Sequence, residues 1–473
     1  MKMHKRLKIL INNVKEIFSI QFLDKLSKKT GFVKRKSKLN AETFLAFNTF
    51  SSEDLCDKSL STLCGRLAAQ YNISISPQAL NERFNEYSVT FMQEVFNYMM
   101  IKQNKILSHA NKKLAFNRIL VNDATSYGLP EKFNNEFKGS GGSSSKSAIK
   151  IQLQYDLLSG KFICCDTYSG TSSDGKYVDV MDNYTEEGDL RLSDLGYYKV
   201  DYLKKIDEKK AFFISKLKST SIVYKKNPFP KLRKNGTIVK STEYIKIDIF
   251  EIIKPLADGE TIEIKDIYIG SKKELKNRLI ITKLSEENKQ KRKVKHLSAV
   301  RRDRGKITDR SIAWTGINVY ITNIPENILS TEQIHDVYSL RWQIEIMFKI
   351  WKSIFNIDNV KNVKMERFKC FLYGRLIALL LSSSIVFTSR DIIYEENSKE
   401  ISELKSFYQV HEFFTVLKSE IFKGEIAIST LLKKIINAIR RFGIKSRKKG
   451  WKTLNEILNY LQISNDDLAN MVI

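Results

Sequence analysis

Glycine and proline are scarce, 20 and 6 of 473 residues, which excludes a collagen-like, linker-like or low-complexity chain. Order is therefore expected over most of the length. Cysteine is equally sparse: Cys56, Cys64, Cys164, Cys165 and Cys370 are scattered, and neither they nor the five histidines show zinc-ligand spacing. Reduced thiols and no structural zinc are expected. The longest apolar run, Leu376 to Phe387, lies between Arg375 and Arg390 and carries Ser382, Ser383 and Ser384. It is too short to cross a bilayer and reads as a buried helix. Met1 to Phe18 starts with Lys2, Lys5, Arg6 and Lys8 but has no clean apolar core or small-residue cleavage site, so it does not read as a secretory signal. A cytosolic protein with no membrane partner is expected.

Acidic residues are also in deficit, 53 Asp and Glu against 80 Lys and Arg, for a formal charge of +27. Such a field favours a polyanion, and phosphate neutralisation with counterion release makes nucleic acid the leading candidate. With 42% hydrophobic and 28% charged residues the chain is globular, and its length suits about three domains.

Residues 1–116 read as a helical DNA-binding domain, with apolar positions three and four apart and turn signals such as Ser51-Ser52-Glu53-Asp54. Within it, Thr62 to Gln70 forms one helix, and Ser76-Pro77 opens another as cap and first residue. The pair resembles a helix-turn-helix that would present Gln78, Asn81 and Arg83 to base edges. From residue 117 the pattern changes. Arg118 to Asp123 is a short buried strand ending in an acid, Ala148 to Asp156 alternates strictly, and Lys161 to Thr167 completes a hairpin. Asp189 to Asp194 is a second strand ending in an acid; a helix around Val200–Ile206 and a strand at Ala211–Ser215 follow.

Residues 117–218 thus form the first part of an α/β core, and 219–323 an all-β insertion. In the insertion Thr242–Ile253, Thr261–Ile269 and Leu279–Leu284 alternate. It also holds a basic run with Arg292, Lys293, Arg301, Arg302 and Arg304, best read as a DNA contact. After a last strand, Ile317 to Asn323, residues 324–370 supply the completing helix and 371–473 a helical region suited to DNA contact or dimerisation.

The completing helix opens at Ser330-Thr331-Glu332-Gln333, a capping signature, and runs to about Phe355. Tyr338, Arg341, Glu345 and Lys352 share a stripe about 60° wide on it. Leu340, Ile344, Ile346, Met347, Ile350 and Trp351 form the opposite, core-facing side. Asp123 and Asp194 each end a strand, and neighbouring strand ends gather side chains at one edge. Three carboxylates without His or Cys make an oxygen-only site for hard divalent ions such as Mg²⁺. Two such ions can drive in-line attack on a phosphodiester, with Arg341 and Lys352 clamping phosphates and Tyr338 bonding a phosphate oxygen.

Tyr338-x2-Arg341-x3-Glu345-x6-Lys352, with Asp123 in Asn-Asp-Ala-Thr and Asp194 in Ser-Asp-Leu-Gly-Tyr, resembles the DDE transposases of bacterial insertion-sequence family four. The resemblance spans roughly residues 117 to 370. It implies a ribonuclease-H-like core and metal ligation by Asp123, Asp194 and Glu345, with two Mg²⁺ ions for which Mn²⁺ could substitute. It also implies DNA contact by Tyr338, Arg341 and Lys352, and a homodimer cutting and pasting DNA at terminal inverted repeats into a target duplex. Relatives that capture a flipped base place a Trp before the signature helix; here that place is nearer Asn318, flanked by Trp314 and Tyr320. A catalytically inactive DNA-binding repressor and a ribonuclease-H-like nuclease are the alternative readings.

Overall fold

The computed structural model describes residues 4–35, 37–50, 55–106, 114–142, 144–270, 272–302, 305–446 and 452–462. The turn signal at Ser51–Asp54 and Arg304 of the basic run lie outside them. The chain divides into two compact units: Met1–Asn111, Ala124–Ser172 and Gln343–Trp451 form the first, and Lys112–Asp123, Ser173–Trp342 and Lys452–Ile473 the second.

Ten strands carry the sheet topology. They are β1 (Arg118–Leu129), β2 (Ser147–Asp156), β3 (Phe162–Ser169), β4 (Asp189–Ser193), β5 (Phe212–Lys216), β6 (Val223–Lys226), β7 (Tyr244–Ile247), β8 (Thr261–Ile269), β9 (Leu275–Lys283) and β10 (Ile317–Thr322). β1 is longer than expected: Asp123 falls at its middle. Its residues through Asp123 count with the second unit and those from Ala124 with the first.

The first unit is mainly helical. The expected helix pair is Leu60–Tyr71 and Pro77–Arg83. Ser59 and Ser76 cap them, their hydroxyls accepting from the Thr62 and Ala79 N–H groups at 3.1 and 3.2 Å. The apolar run lies in one 33-residue helix, Met365–Asn397. That helix is long and apolar enough to cross a membrane, yet its most apolar stretch is 94% buried inside the protein. Three of its serines are tolerated there because they find acceptors: Ser384 and Ser389 donate to the Leu380 and Ile385 carbonyls at 2.9 and 2.7 Å, and Ser383 to Gly160 O at 3.1 Å. Gly160 turns the antiparallel β2–β3 hairpin at φ +73°, and a Cβ there would overlap the Phe387 ring. The expected boundary at residue 370/371 falls inside this helix, whose continuous core keeps its two ends in one body.

In the first unit the strand order is β3–β2–β1, and in the second β1–β4–β5–β10–β9–β8–β6–β7. β1, β4 and β5 run parallel, whereas β2–β3 and β5–β10 are antiparallel. This is the order and direction of strands of the ribonuclease-H-like core that the family resemblance implied. The core of the second unit is apolar and closed, with Leu120, Val121, Leu190, Leu192, Ile214 and Ile321 fully buried.

The insertion is β-rich rather than all-β. β8 matches the expected Thr261–Ile269, but Thr242–Ile253 splits into β7 and a short helix, Ile249–Ile253, because Asp248 caps it through a 2.9 Å bond from the Phe250 N–H. The basic run is a helix, Glu286–Arg302. Glu286 and Glu287 occupy its first turn and Arg301 and Arg302 its last, both favoured by the helix dipole. Lys291 pairs with Glu287 four residues earlier, at 2.5 Å.

Candidate active site

The β1–β4 register runs up to the residue before each aspartate. The strands pair in parallel from Arg118↔Asp189 to Asn122↔Ser193, so Asp123 follows within β1 and Asp194 is the first residue past the end of β4. Side chains pin both ends of this pairing. At the start, Arg118 grips the buried Asp189 with two bonds, Nε–Oδ1 2.7 Å and Nη2–Oδ2 2.6 Å. A two-pronged arginine pair of this kind fixes geometry as well as adding energy. At the end, Ser193 Oγ donates to Asn122 Oδ1 at 2.6 Å. A slip of one residue would break both clasps and separate the acids.

Arg341 and Tyr338 come from the segment expected to be one helix. It is an α-helix, Ile334–Ser339, then a 3₁₀ turn, Leu340–Trp342, then a second α-helix, Gln343–Ser353. Gln333 Oε1 accepts from the Ser330 N–H at 3.0 Å, as the capping signature requires. Arg341, in the tight turn, lies 3.6 Å from Asp123. The Tyr338 hydroxyl, read from the sequence as a phosphate donor, donates to the Ser193 carbonyl at 3.1 Å, immediately before Asp194. The ring is buried against Tyr320, centroids 5.1 Å apart, with Lys216 Nζ 5.6 Å above it. Burial raises the Tyr338 pKa, Asp194 adds to the rise and Arg341 opposes it, so the hydroxyl keeps its proton at neutral pH. Burial likewise pushes Tyr320 up to about 12, against the pull of Arg292. Tyr320 also shares a 2.8 Å bond with Nδ1 of His335, whose own pKa is lowered by burial.

Glu345 and Lys352 belong to the first unit, on helix Gln343–Ser353. Glu345 is half-buried in the first turn, where the helix dipole favours an anion. Lys352 Nζ donates to Ser126 O at 3.2 Å. The opposite side is core as expected: Ile344, Met347, Ile350 and Trp351 are buried, and Trp351 packs on Phe162 of β3 at 6.0 Å. Asp123 and Asp194 offer oxygen donors alone, the chemistry a hard divalent cation takes. Among the described residues no three His, Cys, Asp or Glu side chains form a ready-made metal cluster.

Of the remaining predicted contacts, Arg292, Arg301 and Arg302 are exposed and Lys293 is half-buried; Arg292 also donates to Asn318 Oδ1 at 2.8 Å and Ile317 O at 3.3 Å. Trp314 packs edge-on against Phe250 at 6.0 Å. In the helix pair Gln78 is exposed, but Arg83 is not available to bases: its guanidinium donates to Leu39 O at 3.1 Å and lies over Phe32.

Sequence reasoning missed the Arg118–Asp189 clasp, Lys216 and His335. It also missed a buried junction in which Arg278 holds Glu263 and the Ile324 and Leu329 carbonyls, at 2.8–2.9 Å, while Thr331 donates to the same Glu263. This junction anchors the approach to the Ser330 cap on β8 and β9. Its partners are far apart in sequence, and no local pattern marks them.

Comparison with known proteins gives a consistent picture. Residues 114–381 match the family described as Transposase DDE domain. The chain is 50% identical, over 473 residues and the full length of both proteins, to the transposase for insertion sequence element IS1151 of Clostridium perfringens. It is 37% identical over 441 residues, 92% of each chain, to the transposase for insertion sequence element IS231B of Bacillus thuringiensis subsp. berliner. A piggyBac transposase synaptic complex with hairpin DNA aligns with TM-score 0.48 at 11% identity, covering 100% of this chain and 86% of that one.

Proposed function

Because the chain belongs to the DDE-domain family of insertion-sequence transposases, we propose that Asp123, Asp194 and Glu345 hold the divalent metal on which that family's chemistry depends. The protein is a DNA transposase that moves an insertion sequence by cut and paste. The observation that supports pairing the two aspartates is the β1–β4 register, which runs to the residue before each of them in a strand pairing clasped at both ends.

The oxygen-only donor set suits Mg²⁺, two ions being the number that serves both the attacking and the leaving oxygen, with Mn²⁺ as a substitute. Arg341 lies beside Asp123, where it can hold a phosphate as well as orient the carboxylate. Lys352 supplies a second cation for the cleaved end, and Arg292, Lys293, Arg301 and Arg302 supply backbone contacts along the duplex. The partners are double-stranded terminal inverted repeats and target DNA, bound by a homodimer in the bacterial cytosol at the nucleoid.

Glu345→Gln is the direct test. Cleavage of a duplex carrying the element's end, with Mg²⁺, should fall by at least a thousandfold, while the affinity for that duplex stays within about threefold, since only a metal ligand is lost. Unchanged cleavage would remove Glu345 from the site. The same assay separates the enzyme from a repressor, which binds ends and never nicks them, and strand joining to a second duplex separates it from a nuclease.

A further inference from the structure

The most exposed large apolar side chain among the described residues stands in a strongly basic hairpin. Phe229 is 87% exposed, near the base of the β6–β7 connection, with Leu232 at 62% further along it toward the turn. Between Ile222 and Ile247 the chain carries Lys225, Lys226, Lys231, Arg233, Lys234, Lys240 and Lys246 against a single acid, Glu243. All seven cations are exposed.

The base of this connection, around Phe229, is held in shape. Asn227 closes the hairpin with its N–H on Glu243 O at 2.8 Å and its side-chain amide on Thr242 O at 2.7 Å. Its Oδ1 accepts from the Phe229 N–H at 3.0 Å, and the Lys231 N–H is held by Thr242 Oγ1 at 2.9 Å. Leu232 and Ile238 bridge further out. Pro228 and Pro230 stiffen the backbone on both sides of the ring. A bonded, proline-braced frame that keeps a phenyl ring in water gains nothing for the fold, and lysines placed only to guard the edge strand β7 need no aromatic among them. An exposed, braced phenyl ring amid cations has the chemistry of a groove wedge: the cations neutralise phosphates, and the ring takes the place of a stacked base.

We propose that this hairpin is a DNA-bending wedge, in which Phe229 enters the minor groove of a duplex and opens a base step while the flanking lysines and Arg233 hold the phosphates on either side. It rests on the transposase reading and adds a contact distinct from the metal site and from helix Glu286–Arg302. Bending would bring a longer stretch of duplex against the basic surface.

The test uses the full chain and a duplex carrying the inverted repeat that flanks its gene, labelled with a dye pair at the ends and 2-aminopurine within. Phe229→Ala should abolish most of the change in energy transfer and the 2-aminopurine rise, weaken binding about tenfold and leave the salt slope unchanged. Phe229→Leu, which keeps an apolar wedge, should retain most of both signals. Lys231→Gln with Lys234→Gln should lower the salt slope by about 2. Bend and 2-aminopurine signals in Phe229→Ala equal to those of the unaltered chain overturn the wedge. So does a change in the sedimentation of the DNA-free protein, which would make the Phe229 ring a contact between copies. If those signals are equal while the unaltered chain still cuts ends, only the wedge fails; a chain that neither binds nor cuts removes the transposase reading as well.

Discussion

Tyr338 shows how far a side chain's task can shift between sequence and structure. Its place in the helix stripe suggested a bond to phosphate, yet its hydroxyl spends its proton on the Ser193 carbonyl, one residue before Asp194. Tyr338→Phe should therefore cost about 1 kcal/mol of stability, read as a fall of a few degrees in the unfolding midpoint. End cleavage should drop about tenfold as the Asp194 strand end loosens, while end affinity and its salt slope stay unchanged. A change in salt slope instead would return the hydroxyl to the phosphate. At this scale Asp194 was legible as the acid that closes the apolar run of β4, a local signal, although Asp123 lies inside β1. The clasp that makes Asp123 and Asp194 neighbours was not: Arg118 and Asp189 stand 71 positions apart, and nothing near either announces the other.

Elements whose pattern is apolar periodicity were read well. β8 has its expected bounds, and the Ser76-Pro77 helix start is where its cap predicts. Helix Glu286–Arg302 was missed as a helix because it buries no residue and so leaves no apolar stripe; only its end charges and i,i+4 pairing speak for it. The same lack of burial makes it a clean probe. Replacing Lys293, Lys295, Arg301 and Arg302 by Gln should change stability by no more than about 0.5 kcal/mol per site. The salt slope of end binding should fall by up to about 3.6 if all four meet phosphates. Fluorescence anisotropy across a salt series reads the slope, and an unaltered value would make the run a solvated face. The 3₁₀ turn at Leu340–Trp342 was equally hidden, since an amphipathic pattern continues across it, and it is the turn that brings Arg341 to Asp123.

Across the whole molecule, affinity and chemistry have separate physical origins. A charge of +27 is spread along the chain, in the β6–β7 hairpin, in helix Glu286–Arg302 and beyond, whereas the proposed metal ligands are only three carboxylates. Attraction summed over many phosphates is screened by salt and indifferent to any one cation; ligation by three acids is the reverse. Chelating divalent ions should thus stop end cleavage completely while end complexes still form on a gel. Raising salt from about 50 to 200 mM should weaken those complexes by about 10³–10⁵-fold, for six to ten phosphate contacts. Neither treatment should move the far-ultraviolet circular dichroism spectrum, because the core strands are held by apolar burial and by the Arg118–Asp189 clasp rather than by a bound ion. Complexes that vanish with chelator and survive salt would mean that the metal builds the binding surface, and the division between spread charge and local ligands would be false.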